Sequence, residues 1–283
     1  MVFKNTDNFT ALSMLSFPNC KINIGLYVTA RRADGYHDLE TVFYPVPFRD
    51  VLEIIPAKEA GLHTSGRTVE GDSKNNLVWK AYEMLKAKYP EQVPALDIYL
   101  HKLIPMGAGL GGGSADGAFM LKLLNDYCKL NIAENELEDM ALQLGSDCPF
   151  FIPNTPQFAK GRGEQMTALE LNLSGYSLLL ICPEVHISTG KAFGMITPRP
   201  APFNLQELAK LSVPEWKDHI SNGFEEPVFT QHPELAGIKQ QLYTGGAVYA
   251  SMSGTGSSIY GLFPKGRRTG IETTLKYEIF FLE

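Results

Sequence analysis

The chain is poor in cysteine, in long apolar runs and in clustered positive charge. Its four cysteines, Cys20, Cys128, Cys148 and Cys182, contain no Cys-x-x-Cys pair and are too few for a disulfide framework in 283 residues. That usage points to a reducing cytoplasm and gives no zinc spacing. The longest apolar runs, around 178–182 and 279–282, fall far short of the ~20 residues of a membrane span, and the N-terminus lacks a continuous apolar signal region. Neither a membrane partner nor export is expected. Basic residues are no more concentrated than the pairs Arg31-Arg32 and Arg267-Arg268, and the net charge is -6, so no affinity built on a nucleic-acid backbone is expected. There is also no internal repeat, Gly-x-Ser-x-Gly elbow or haem motif.

What the chain has is a core's worth of apolar residues, 44% of the total, and 26 glycines. The apolar content suffices for two domains of ordinary size. The glycines concentrate in Pro105-Met106-Gly107-Ala108-Gly109-Leu110-Gly111-Gly112-Gly113-Ser114. Apolar or small residues then recur at Ala115, Ala118, Phe119, Leu121, Leu124 and Cys128, a helical spacing that places Ser114 as an N-cap. Glycine leaves backbone N–H groups uncovered, and a helix N-terminus adds unpaired donors and about half a positive charge. The combination is an anion cradle, most often for phosphate. Gly107, Gly109 and Gly112 satisfy G-x-G-x-x-G, but a helix and the acidic run 134–139 follow where a dinucleotide fold needs a second strand ending in an acid. No lysine follows the glycines as a P-loop requires, and the protein-kinase elements His-Arg-Asp and Asp-Phe-Gly are missing.

Around this loop the chain reads as alternating strands and helices. Residues 21–28 alternate strictly, with Ile22, Ile24, Leu26 and Val28 on one face and Lys21, Asn23, Gly25 and Tyr27 on the other. Lys21 and Asn23 thus point the same way, either to solvent or to a ligand. Arg32-Ala33-Asp34-Gly35-Tyr36-His37 contains an Asp-Gly turn. Helices are expected over 76–88 and 134–144, and a strand over 96–103, which leaves Lys102 just ahead of the loop, solvated or within reach of a phosphate. Gly145 stops the second helix and delivers Asp147 between a turn and an apolar segment, either as a turn residue bonding its own backbone or as a functional carboxylate. Gly161-Arg162-Gly163-Glu164 is a tight turn that closes a first domain over 1–165, and 166–283 forms a second. Ser253-Gly254-Thr255-Gly256-Ser257-Ser258 is either a hairpin turn or a lid on the first glycine loop.

Three of these stretches, Pro18-Asn19-Cys20-Lys21-Ile22-Asn23, Pro105 to Ala118 and Ser253 to Ser258, make the chain resemble the GHMP kinase superfamily from Pro18 to about Phe263. Arg32 to His37, Asn76-Leu77-Val78 and Gly145-Ser146-Asp147-Cys148-Pro149-Phe150-Phe151 are similar to the branch that phosphorylates the cytidine-diphospho-methylerythritol of the non-mevalonate isoprenoid pathway. The resemblance implies an α+β fold, with an ATP-binding N-terminal domain like the second domain of ribosomal protein S5, a ferredoxin-like C-terminal domain, and the active site in the cleft between them. It implies transfer of the ATP γ-phosphate to the acceptor's C2 hydroxyl, with Mg²⁺ accompanying ATP. Asp147 would be the base and Lys21 its partner, and Asn23 would hold the acceptor. Gly107, Ala108, Gly109, Leu110, Gly111, Gly112, Gly113 and Ser114, with Pro105 and Met106, would hold the phosphates, and Lys102, Asn76, Leu77 and Val78 would lie near the nucleotide. Tyr36, His37 and Phe193 would hold cytidine, Tyr36 and Phe193 on opposite faces of the base and His37 at its edge. Metal ligands and oligomeric state stay open.

The chain departs from the family pattern at Cys20 and Gly117, where small Ala-type residues are usual, and at Gly223, where Asn-Asp-Phe-Glu has Asp. Two other readings fit the same residues. One is a GHMP kinase with a mevalonate, homoserine or sugar acceptor. The other is a non-catalytic ATP- or phosphometabolite-binding regulator, against which the joint presence of Lys21 and Asp147 argues, because a binder needs no base.

Overall fold

The computed structural model describes residues 13–69, 71–266 and 277–282. In chain order the strands are β1 (Met14–Ser16), β2 (Asn19–Arg31), β3 (His37–Arg49), β4 (Val51–Pro56), β5 (Gly61–Gly66), β6 (Leu96–Lys102), β7 (Gln157–Gly161), β8 (Gln165–Ala168), β9 (Tyr176–Pro183), β10 (Tyr249–Met252), β11 (Ile259–Pro264) and β12 (Tyr277–Leu282). The helices are α1 (Leu77–Lys88), α2 (Gly112–Tyr127), α3 (Glu134–Leu144), α4 (Thr189–Met195), α5 (Trp216–His219), α6 (Glu225–Gln231) and α7 (Pro233–Thr244). Arg267, Arg268 and most of residues 1–16 lie outside the described residues.

Three four-stranded sheets result, ordered β1-β4-β6-β5, β2-β3-β7-β8 and β10-β11-β9-β12, with β5–β6 the parallel pair. The fold is α+β. The third sheet, with β9 inside and β12 at its edge, has the strand order of a ferredoxin-like split βαβ unit, as the resemblance implies. β8 pairs with β7 from Gln165 to Ala168, so the turn at 161–164 joins two strands of one sheet, and a division at 165/166 passes through β8.

α1 and α3 form where the apolar spacing puts them. Asn76 caps α1, its side chain accepting from the Val78 N–H, and Leu137, Met140 and Ala141 are the buried stripe of α3. α2 differs from expectation at its start. It begins at Gly112, capped by Gly111 in the left-handed conformation (φ 70°) with no side-chain cap, so Ser114 sits inside the first turn. The glycine loop winds directly into the helix, and that moves the start ahead of the serine.

β2 also differs. It is buried on both faces as far as Val28, and a β-bulge separates Ile24 from Leu26, with Gly25 at φ 67°. Ile22, Ile24 and Tyr27 pack in one core with Leu180, Trp216 and Tyr260, whereas Leu26 and Val28 pack in another with Ile181, Phe224 and Phe263. The extra residue of a bulge reverses the alternation after it, so the single apolar face read from the sequence is two. A third core gathers α1, α2 and α3 against Leu52, Ile54, Ile98 and Leu100.

Candidate active site

The site forms where β2, the glycine loop and the turn after α3 converge. Lys21, on β2, points its ammonium at Asp147, Nζ to Oδ2 3.7 Å, and donates to the Asn23 carboxamide oxygen at 2.6 Å. The lysine side chain is 5% exposed and the Asp147 carboxylate 36%, so a buried cation faces a carboxylate open to the cleft. Burial lowers the Lys21 pKa below its usual value, and the charge of Asp147 pulls it back up. Asn23 is fixed in turn: its amide donates to Thr41 at 2.9 Å, and Thr41 donates to the Gly25 carbonyl at 2.6 Å.

The glycine loop stands beside this pair. The Lys21 N–H donates to the Leu110 carbonyl at 2.9 Å, and a Cβ on Gly111 would press on the Lys21 side chain at 3.2 Å. A Cβ on Gly113 would meet nothing within 4 Å, so the first turn of α2, without a side-chain cap, opens on free space. A helix start without a side-chain cap, with Gly111 lining the cleft ahead of it, fits a phosphate.

The second glycine turn does both things the sequence allowed. β10 and β11 pair as a hairpin, and their turn lies on the first loop: the Ser253 hydroxyl donates to the Gly109 carbonyl at 2.8 Å, and the Ser258 N–H to the Ala108 carbonyl at 3.2 Å. The hairpin turn is held from behind by Asn222, whose amide donates to the Met252 and Gly254 carbonyls, both at 2.8 Å. Asn222 and Glu225, which accepts from the Met252 N–H at 2.8 Å, escaped the reading of single motifs. Their signal is the Asn-x-Phe-Glu spacing, which survives the change at Gly223.

Lys102 sits differently from either sequence expectation. It is fully buried beneath the cradle, its ammonium bonded to Asp116 at 2.6 Å and to Asp50. Asp50 also accepts from the Leu103 and Ile104 N–H groups, at 2.6 and 2.9 Å, and so fixes the turn that leads into Pro105. Held between Asp50 and Asp116, the ammonium has its hydrogen bonds inside the protein and does not project into solvent as a strand-end lysine would. Burial pushes the Asp116 carboxyl well above its ordinary pKa, opposed by Lys102 and reinforced by Asp50, and its Oδ1 has no partner.

The aromatic residues collect at the β2–β3 hairpin and α4. His37 stacks on Phe193, ring centroids 5.1 Å apart, and Phe193 meets Phe224 edge-on at 4.9 Å. Tyr36 is 56% exposed at the hairpin tip, with the Arg162 guanidinium 5.0 Å from its ring centre. Phe193 and Arg162 line the cleft that holds Lys21, Asn23 and Asp147, a cavity of about 230 Å³. Asn76, Leu77 and Val78 form the start of α1, packed on α2 through Leu77 and Gly117.

Comparison with known proteins agrees. Residues 76–153 match the family description "GHMP kinases N terminal domain", and 204–277 match "GHMP kinases C terminal". The chain is 51% identical over 252 residues to the 4-diphosphocytidyl-2-C-methyl-D-erythritol kinase of Parabacteroides distasonis, an alignment covering 89% of this chain and 92% of the relative. It is 45% identical over 262 residues to the same-named kinase of Cytophaga hutchinsonii, covering 92% and 96%. A crystal structure of 4-(cytidine 5'-diphospho)-2C-methyl-D-erythritol kinase superposes with a TM-score of 0.75 at 30% identity, covering 88% of this chain and 90% of that one. Matched in both halves and along nearly its whole length, the chain belongs to the GHMP kinase family, on the branch of the 4-diphosphocytidyl-2-C-methyl-D-erythritol kinases.

Proposed function

We infer that the chain transfers the γ-phosphoryl group of ATP to the C2 hydroxyl of 4-diphosphocytidyl-2-C-methyl-D-erythritol. The observation that carries the chemistry is Lys21 within 3.7 Å of Asp147 beside an open glycine cradle. Phosphoryl transfer asks mainly for positioning and charge neutralisation, and a hydroxyl is too weak an acid to be ionised beforehand by a carboxylate. Asp147 takes the C2 proton as the new P–O bond forms. Lys21 keeps Asp147 ionised and offsets negative charge developing on the transferred group. Asn23, with its oxygen taken by Lys21 and one N–H by Thr41, has one N–H left for the acceptor. The uncapped start of α2 receives the ATP phosphates.

Mg²⁺ comes in on the nucleotide. Magnesium usually keeps several waters and is held through one or two carboxylates and the substrate phosphates. His37, Phe193 and Tyr36 receive the cytidine. Four unpaired cysteines support a reducing, cytoplasmic setting. The test is ADP release from purified protein with ATP and Mg²⁺, offered the cytidine-diphospho acceptor, mevalonate or homoserine. Turnover of the first alone is expected, and turnover of mevalonate or homoserine instead overturns the reading.

A further inference from the structure

The acceptor has two ends, a base and a branched sugar alcohol, joined by a diphosphate, so that bridge must run from the aromatic cluster to the Lys21–Asp147 pair. Lys21 is buried and already bonded to Asn23 and Asp147. The other cation lining the cleft is Arg162, in the turn between β7 and β8. That turn passes beside the base: a Cβ on Gly163 would stand 3.8 Å from the Asp147 Oδ1. From the same turn the Arg162 guanidinium reaches over the Tyr36 ring. Arg162 therefore touches the hairpin, and the turn that carries it borders the Asp147 carboxylate in the same cleft.

Its charge is little used. Among the described residues its ion pair is with Glu164, at 3.9 Å, and the hairpin carboxylates Asp34 and Asp38 are held by Arg32 at 3.0 and 3.1 Å. An arginine offers a planar fork of donors matched to phosphate oxygens, and stacking on an aromatic ring orients that fork without consuming its N–H groups.

We propose that Arg162 is a specificity-determining residue that binds the diphosphate bridge of the acceptor and so sets the distance between the held base and the reacting hydroxyl. The proposal rests on the substrate reading above and goes beyond it by assigning the bridge to one side chain. A mevalonate or homoserine acceptor has no such bridge, so Arg162 favours the diphosphate acceptor specifically.

The test compares wild type, Arg162→Gln and Arg162→Lys by titration with CDP and with cytidine, the ATP site being filled with ADP, and by acceptor and ATP KM values. Hydrogen bonds to a charged group are worth enough that Arg162→Gln should weaken CDP binding roughly tenfold or more, with a matching rise in acceptor KM. Cytidine binding and ATP KM should barely move, and lysine should restore part of the loss, having the charge without the fork. Unchanged CDP affinity in Arg162→Gln overturns the proposal. Equal losses for CDP and cytidine also overturn it, because the arginine then acts only by propping Tyr36. Wild type that releases no ADP with the acceptor overturns the substrate reading itself, a result read on the wild type alone.

Discussion

Gly109 and Ser253 are pressed together: the serine side-chain hydroxyl donates to the glycine carbonyl at 2.8 Å, and a Cβ on Gly109 would overlap the serine carbonyl oxygen. Gly109 also has φ 79°, where an L side chain costs roughly 1–2 kcal/mol. Gly109→Ala should force the two glycine turns apart, lower stability by at least that amount and raise ATP KM. Calorimetry and ATP kinetics measure both, and wild-type values for each would mean that the contact positions nothing.

Asp147→Asn keeps the shape of the turn and removes the proposed proton acceptor, so kcat should fall by roughly 10²- to 10⁴-fold when chemistry limits turnover. The same change removes the charge that pulls the Lys21 pKa upward, so the lysine should titrate lower still. Between the lowered folded value and the ordinary 10.5 the unfolded chain holds a proton that the folded one has released, so stability rises with pH across that window. The window should widen in the variant. Lysine side-chain NMR gives the shift, and an unmoved or raised Lys21 pKa in Asp147→Asn contradicts the pairing.

The buried Asp50–Lys102–Asp116 cluster gives a second pH signature of opposite slope. The folded chain keeps the Asp116 proton above the ordinary value of 3.8, where the unfolded chain has lost it, so stability falls as pH rises from 3.8 toward the raised value. Asp116→Asn should flatten that slope in denaturant melts taken at several pH values. Lys102→Met strands Asp50 without its cation and should cost about 3–5 kcal/mol; a loss below about 1 kcal/mol, typical of an exposed pair, would sink this account.

Gly117→Ala sets two effects against each other. Alanine favours the helix by about 0.5–1 kcal/mol, but its Cβ would stand 2.9 Å from the Leu77 Cβ, which cannot swing away. Overpacking of this kind costs roughly 1–3 kcal/mol, so the variant should be less stable than wild type. A gain in chemical stability would show that α1 and α2 can part without penalty.

Tyr36→Ala and Phe193→Ala should each weaken acceptor binding by about 5- to 150-fold, since stacking on a base is worth roughly 1–3 kcal/mol. Their melting temperatures should differ. Tyr36 is exposed, whereas Phe193 packs on His37 and Phe224, so only the second variant should melt earlier. Normal acceptor affinity in both would remove the cytidine pocket.

Much of this site is legible in the sequence where the chemistry is local. The glycine loop, the helix that begins after Asn76 and the helix that delivers Asp147 each follow from a few neighbouring residues. What escapes is set by distant partners. Lys102 reads as a strand-end lysine because Asp50 and Asp116, its partners, lie 52 and 14 residues away. A trace exists: Asp116, Met120 and Leu123 are all buried, on a face other than the expected stripe, so α2 is enclosed nearly all round and an aspartate in such a helix needs a cation. Ser114 misleads as a cap because Gly111, in the left-handed conformation, ends the loop by backbone geometry.

The bulge at Gly25 bears on how the protein comes apart. Lys21 and Asn23 precede it, and Leu26 and Val28 follow it into a different core, so one continuous strand is anchored in two places and also belongs to the sheet of β3, β7 and β8. A side chain at position 25 would collide with Leu205 at 2.8 Å and Ile220 at 2.9 Å. Neither of these two cores can melt while the other keeps β2 in place. Heating should therefore unfold these two cores in one cooperative step, with the Lys21–Asp147 pair lost in the same step.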